Sequence, residues 1–334
     1  FARLKIIDFN DRSMQPMISS DQKHILLFNG EIYNFKKLKL ELTKKGHSFV
    51  SNGDTEILIS AWKEWGVSML KKLDGMFSFV IWDTKNKNLF LARDRFGKKP
   101  LVYCIKDNSI FFASDVTSLA CLTEGKSINK EAIQSLFRFR FIYEPMTIYK
   151  NFIKLSPGSF MKFNNYGAKV EDWYYKTLKN KQPQFESMKQ LKNSVNKAVN
   201  KRLVSDVPLG IFLSGGIDSA IIMSSVAEQG KKIPTFTIGF KYQKKYYDES
   251  ISAKKISKYF GFENKTIYLD QKKVLSSIDQ ILDANDEPFA DSSAIAMYMI
   301  SNSVKGDIKV ALTGDGGDEL FGGYNKYTSY KWKK

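Results

Sequence analysis

Residues 207–219 read VPLGIFLSGGIDS. Val207 to Leu213 is an apolar, partly β-branched run set off by the polar pair Ser205–Asp206, which predicts a buried strand. Ser214, Gly215 and Gly216 follow at once. Apolar residues then recur at Ile217, Ile221, Ile222 and Val226, which predicts a helix over 217–227. Strand, glycine turn and helix in succession gather backbone N–H groups and the positive end of a helix dipole around one concavity, a setting for phosphate. Two adjacent glycines let the backbone approach phosphate oxygens with no Cβ between them. Asp218 offers a carboxylate for Mg²⁺, and Ser214 and Ser219 offer hydroxyls.

Two familiar phosphate loops do not fit. A Walker A loop needs a lysine before its hydroxyl residue, and residues 205–228 contain none. Nor does GxGxxG occur here. SGGIDS instead resembles the pyrophosphate-binding loop of the PP-loop ATP pyrophosphatases. Members of that family cleave ATP between the α and β phosphates and adenylate a carboxyl or carbonyl oxygen. The plainer reading keeps SGG as an ordinary strand–helix turn and Asp218 as a charge at a helix N-terminus.

At 334 residues the chain has room for two domains with sizeable cores. Its 43% hydrophobic and 26% charged residues are ordinary for a globular protein. No apolar run approaches the roughly 18–20 residues that span a bilayer, so no membrane partner is expected. Residue 1 is Phe, and no signal-peptide pattern follows it. The expected location is cytoplasmic. Two cysteines, Cys104 and Cys121, form neither a CxxC pair nor a disulfide framework. Two histidines, His24 and His47, are too few for a zinc site or a Ser-His-Asp triad, and His47 reads as a half-buried scaffold residue. The net charge of +17 raises nucleic acid as a partner, but the lysines are spread over helix faces and loops rather than gathered in one arm. A lysine-rich solvated surface is the favoured reading.

Residues 1–165 are rich in short β-type segments, at 24–29, 76–83, 88–92, 101–105 and 109–113. Helices are predicted over 33–45 and 55–65, the second with Asp54 as N-cap. Residues 148–163 read as a hairpin turning at Ser156–Pro157–Gly158. The mixture implies stacked sheets flanked by helices, an α+β architecture. Residues 166–185 lose periodicity and read as a linker. From 186 onward helices and strands alternate: helices over 187–201, 217–228, 249–260, 272–284 and 294–304, and strands over 208–213, 235–239, 265–269 and 308–312. That alternation predicts an α/β doubly wound parallel sheet with its ligands at the carboxyl ends of the strands.

The last strand runs directly into Thr313–Tyr324, TGDGGDELFGGY, at the same sheet edge as SGGIDS. Asp315, Asp318 and Glu319 set carboxylates among glycines, as Mg²⁺ and a close-packed nucleotide require. A solvated glycine-rich turn is the bland alternative, and the EF-hand spacing of a calcium loop is absent. The strand end TFTIG at 235–239 places Ile238 where an adenine could lie.

SGGIDS, TFTIG and TGDGGDELFGGY in this order, with YDES at 247–250 and EPFADSSAIAMY at 287–298, resemble the synthetase domain of glutamine-hydrolysing asparagine synthetases. The resemblance implies that Leu213, Ile238, Thr313 and Gly314 contact ATP and that Ser214, Gly215, Gly216, Asp218 and Ser219 hold its pyrophosphate. It implies Mg²⁺ on Asp218 and Asp318, and a catalytic carboxylate at Asp315, where many relatives carry Glu. The amino-terminal stretches RLKIID (3–8), QPM (15–17), NGEIYN (29–34), GDTE (53–56), GMFSFVIWD (75–83) and RDRFGKKPLVY (93–103) resemble class II glutamine amidotransferases, which have an N-terminal-nucleophile fold. By that resemblance Arg3 would hold the glutamine α-carboxylate, Glu31 and Asp54 its α-ammonium group, and the Asn29 side chain and Gly30 N–H would form an oxyanion hole.

The implied enzyme hydrolyses glutamine in one domain, passes ammonia to the other, and there uses ATP–Mg²⁺ to adenylate aspartate before amidation. Its partners are glutamine, aspartate and ATP, with a homodimer as a further expectation. The family's nucleophile is an amino-terminal cysteine whose own amine is the base. Phe stands at residue 1, and Cys104 and Cys121 lack a free amine. The chain therefore reads as an internal portion of a longer enzyme, without glutaminase activity as written and ending before the synthetase domain does. Two other readings stay open: a relative that amidates a different carboxylate, such as a sugar acid or a β-lactam precursor, and a non-catalytic remnant.

Overall fold

The computed structural model describes residues 6–8, 10–123, 126–174, 187–240, 248–325 and 327. The chain divides into two compact units. The first comprises residues 1–181 together with 282–291, and the second comprises 182–281 and 292–334.

The first unit begins with β1 (Met17–Ile18), β2 (His24–Ile32), α1 (Phe35–Lys44) and α2 (Asp54–Trp65). Next come β3 (Gly75–Asp83), β4 (Asn88–Arg93), β5 (Val102–Lys106), β6 (Ser109–Ala113), α3 (Val116–Leu122) and α4 (Lys130–Phe139). It closes with β7 (Ile153–Lys154), β8 (Ser159–Asn164) and β9 (Gly167–Asp172). One antiparallel sheet has the order β1-β2-β3-β4-β8-β9, and a smaller one runs β6-β5-β7.

Strand alternation sorts the side chains into layers. Val80, Leu89 and Leu91 of the large sheet pack with Leu101 and Tyr103 of the small one. The intervening Phe79 and Phe90 face the other way, and Phe90 stacks with Trp62 of α2 at 4.5 Å between ring centroids. On the far side of the small sheet, Val102 and Cys104 pack on Val116 and Leu119 of α3. The layers are thus helix, sheet, sheet and helix, the sandwich expected of the N-terminal-nucleophile type. Burial pushes the Cys104 thiol up, so it stays protonated within that core.

The second unit contains α5 (Met188–Arg202), β10 (Leu209–Phe212), α6 (Ile217–Glu228), β11 (Thr235–Phe240), α7 (Ser250–Phe260) and β12 (Asn264–Leu269). Then follow α8 (Gln271–Ser276), α9 (Ile278–Asp283, which crosses the unit boundary), α10 (Ser293–Val304), β13 (Val310–Leu312) and α11 (Gly317–Phe321). Its sheet is wholly parallel, with order β12-β11-β10-β13. Ile211, Leu213, Met223, Val226, Ala253 and Leu312 form the core on one face. Phe236, Ile300, Val304 and Ile308 fill the other. Helices on both faces of a parallel sheet are the doubly wound arrangement anticipated from the alternating pattern.

Several local expectations need correction. Residues 167–172, within the expected linker, form β9 at the edge of the large sheet. Most of its side chains face solvent, so no hydrophobic alternation marks it. Residues 148–163 are not a hairpin, because β7 pairs with β5 and β8 with β4, in different sheets. Asp54 does not cap α2. Gly53 occupies that position, and the buried Asp54 carboxylate accepts the Ile32 N–H at 2.9 Å. The helix expected over 272–284 breaks at Ser276–Ser277, whose hydroxyls both donate to the Lys273 carbonyl and compete with the helical ladder. In α6 the inward residues include Ser219, Met223 and Val226, whereas Ile217 is 79% exposed.

One charged cluster fixes the loop after β4. Arg93 is 4% exposed and uses five N–H donors at once. It grips Glu144 in bidentate fashion at 2.9 Å and donates to the carbonyls of Lys99, Gly97 and Leu155. Its neighbour Asp94 accepts the N–H groups of Phe77, Phe96, Lys98 and Lys99. The RD pair of RDRFGKKPLVY therefore shapes the turn that leads to Leu101. Lysine cannot reproduce that fork. Arg93→Ala is expected to lower the unfolding free energy by about 3 kcal/mol, as removing one partner of a buried ion pair does. Urea denaturation checks this, and an unchanged midpoint would show the cluster to be dispensable.

Candidate active sites

Each unit holds a large cavity. In the first unit a cavity of about 680 Å³ is lined by Asn29, Gly30, Glu31 and Asp54, four of the five residues expected to bind glutamine. The fifth, Arg3, lies outside the described residues, while Ile6 and Ile7 from the same segment line the wall. Asn29 and Gly30 sit on β2 opposite Ser78 and Phe77 of β3. Gly30 has φ +153°, and a Cβ there would run into the Met76 carbonyl oxygen and lie 2.7 Å from the Phe77 Cα. Glycine is the residue that allows this approach.

Polar groups brace the same wall. The Gln15 side-chain oxygen accepts the Phe28 N–H at 2.6 Å, one residue before Asn29. Asp8 accepts from Ser13 Oγ and the Asn52 N–H, both at 2.9 Å, and so fixes the chain beside Gly53 and Asp54. Glu31 and Asp54 are both buried. Two buried carboxylates at a shared cavity favour a cation between them. On the opposite wall, Asn29 Nδ2 donates to Ser114 Oγ at 3.3 Å.

In the second unit a cavity of about 610 Å³ lies at the carboxyl ends of β10, β11 and β13. Its wall includes Leu213, Ser214, Asp218, Ser219, Ile238, Thr313, Gly314, Asp315 and Asp318. Gly215 and Gly216 are not on that wall but form the turn behind it. Gly215 has φ +83° and presses on α7, where a Cβ would fall 2.9 Å from the Glu249 carbonyl oxygen. Ser214 Oγ accepts the Gly216 N–H and bonds Ser219 Oγ at 3.0 Å, so hydroxyls tie the loop into one turn.

The two acid-and-glycine loops touch. A Cβ on Gly314 would come within 2.9 Å of Asp218 Cβ. One on Gly317 would come within 2.6 Å of Asp218 Oδ2. Asp218 and Asp318 thus belong to one cavity, and every donor they offer is a hard oxygen suited to Mg²⁺. Among the described residues no three His, Cys, Asp or Glu side chains gather closely enough to hold a metal alone. Mg²⁺ is commonly bound by one or two carboxylates plus substrate phosphates, so this donor set fits a metal that arrives with a nucleotide. Nearby, Thr313 Oγ1 donates to Asp315 at 2.8 Å, and Tyr324 donates to Glu319, which pushes its phenol up to about 12.

Sequence reasoning left out several wall residues. Ser78, Lys99, Ser114 and Ser118 line the first cavity. Glu249, Ser293 and Met297 line the second, and burial raises the Glu249 carboxyl. Lys99 and Glu249 lie inside RDRFGKKPLVY and YDES, so a signal existed without a role attached to it. Tyr247 of YDES lies outside the described residues. Ser114 carried no sequence signal, because its importance rests on a contact 85 residues away in sequence.

Comparison with known families gives two matches. Residues 1–175 match the family described as "Glutamine amidotransferase domain", and residues 190–334 match "Asparagine synthase". The chain is 37% identical over 329 residues to "Asparagine synthetase [glutamine-hydrolyzing] 1" of Bacillus subtilis (strain 168), covering 98% of this chain and 52% of that protein. It is 28% identical to "Asparagine synthetase [glutamine-hydrolyzing] 3" of the same organism, covering 96% and 55%. It is also 28% identical to "Amidase chry2" of Gibberella zeae, covering 97% and 51%. The chain thus spans about half the length of these relatives. Among solved structures, a glutamine phosphoribosylpyrophosphate amidotransferase from B. subtilis gives a TM-score of 0.36 at 16% identity, covering 80% of this chain and 54% of that one.

The tight fit of Asp218 yields a test. Gly317→Ala is expected to lower the unfolding free energy by about 1–3 kcal/mol, the common cost of overpacking. Urea denaturation measures it, and an unchanged midpoint would mean that the Asp218 carboxylate can move aside freely.

Proposed function

Because the chain belongs to the glutamine-hydrolysing asparagine synthetase family, we propose that its protein makes asparagine from aspartate, ATP and glutamine-derived ammonia. The observation that carries the proposal is the packing of Asp218 against Gly314 and Gly317, which joins two carboxylate loops in one cavity. A separate cavity in the other unit, lined by Asn29, Gly30, Glu31 and Asp54, supports the glutamine half.

In the glutamine cavity, Glu31 and Asp54 bind the substrate ammonium and Arg3 its α-carboxylate. The Asn29 side chain and the Gly30 N–H face the carbonyl as it becomes an oxyanion, each donor contributing about 3 kcal/mol to the barrier reduction. The attacking thiolate is that of the family's amino-terminal cysteine, whose amine takes the proton.

A carboxylate at neutral pH is a poor electrophile, so aspartate needs activation before ammonia can attack. In the nucleotide cavity, Leu213 and Ile238 bind the adenine side of ATP, and Ser214, Ser219 and the α6 N-terminus receive the pyrophosphate. Asp218 and Asp318 would hold Mg²⁺, which would supply positive charge to the pyrophosphate as leaving group. These groups fix the α-phosphorus opposite the aspartate β-carboxylate, and such alignment supplies much of the rate. The acyl adenylate forms, ammonia displaces AMP, and asparagine results.

The likeness to "Amidase chry2" favours one second reading, the same chemistry on a different carboxylate. Release of AMP with a panel of carboxylic acids separates the two. For either acceptor, Asp218→Ala is expected to reduce ATP–pyrophosphate exchange about a thousandfold or more, the scale at which lost charge stabilisation acts. Exchange at the wild-type rate would remove Asp218 from the site.

A further inference from the structure

The oxyanion donor Asn29 does not stand alone. Its Nδ2 carries two N–H bonds, and one of them points to Ser114 Oγ at 3.3 Å. That contact restrains the rotation of the amide plane at the wall of the cavity both residues line, and it uses only one of the two N–H groups. Ser114 itself sits on a short turn between β6 and α3, and this turn is held unusually firmly. Every one of the first three N–H groups of α3 ends on a carboxylate oxygen. Val116 and Thr117 donate to Asp286 at 2.6 and 2.8 Å, and Ser118 donates to the Asp115 cap at 2.6 Å.

Asp286 is far away in sequence but belongs to the same unit. Its segment is anchored just after Asp286: Glu287 accepts the Ile148 N–H at 2.6 Å and pairs with Lys154, and the Ala290 N–H donates to the Arg140 carbonyl at 2.9 Å. The chain of contacts runs from this anchored segment through Asp286 to α3, from α3 to Ser114, and from Ser114 to Asn29.

We propose that Ser114 is a positioning residue for the oxyanion donor Asn29, and that Asp286 sets Ser114 in place by binding the first two N–H groups of α3. The proposal rests on the reading of this cavity as the site of glutamine hydrolysis. Neither residue touches the reacting atoms, so the effect falls on alignment in the transition state and leaves binding of the ground state alone.

Steady-state glutaminase kinetics of the full-length protein test it. Complete loss of an oxyanion donor costs about 10²–10³ in turnover, and misalignment of a retained donor costs less. Ser114→Ala is therefore expected to lower kcat about tenfold with the KM for glutamine unchanged, and Ser114→Thr, which keeps the hydroxyl, to restore most of it. Asp286→Ala should give the same kcat-weighted loss, and Asp286→Glu should recover part of it. Ser114 is exposed, so its replacement leaves folding intact, which circular dichroism verifies. A Ser114→Ala protein with wild-type kcat, or one whose loss lies in KM, overturns the proposal. A wild-type protein that hydrolyses no glutamine overturns the reading beneath it as well.

Discussion

A carboxylate lodged against glycine is the contact on which the nucleotide site depends. Asp218 begins α6, and Gly314 and Gly317 follow β13. Those elements are neighbours only because β10 pairs with β13 across a crossover of almost a hundred residues. Any side chain on either glycine would enter the space that Asp218 occupies. The glycines of TGDGGDELFGGY thus have two separate duties. Some relieve backbone torsion, as Gly316 does at φ +89°, and others clear room for an acid from a different loop.

The amidotransferase unit solves a related problem with a different device. Its cavity wall includes Lys99 and Leu101, reached by a turn in which the Gly97 N–H donates to the Asp94 carbonyl while the rest lies outside any strand or helix. Arg93 and Asp94 supply the missing partners, one donating to carbonyls and the other accepting from N–H groups. A buried guanidinium tolerates its position when every donor is used and a carboxylate balances its charge. Motif residues that look catalytic can therefore be architectural, and the RD pair is one.

Much of this was legible in the residue order because its causes are local. The alternation of apolar strands with amphipathic helices after residue 186 fixes a parallel sheet, and a parallel sheet places every loop of interest at one edge. The long antiparallel strand β3 announces itself by aromatic and β-branched content. What escaped notice was non-local. The edge strand β9 carries few buried side chains and shows no period. Asp54 resembles a helix cap, yet its partner is Ile32 on another element. Along α6, Ile222 and Val226 pack on the core as their spacing suggests, but Ser219 and Met223 share that face while Ile217 and Ile221 lie exposed. Ser114 became visible only once folding brought it to Asn29.

Segment 282–291 governs how the polypeptide is partitioned. It is bounded in sequence by residues of the second unit, yet its contacts assign it to the first. The backbone therefore passes from one unit to the other three times, at 181–182, 281–282 and 291–292. A polypeptide severed at residue 181 would leave α3 without Asp286 and Lys154 without Glu287. The first unit is consequently not obtained whole by a single cut.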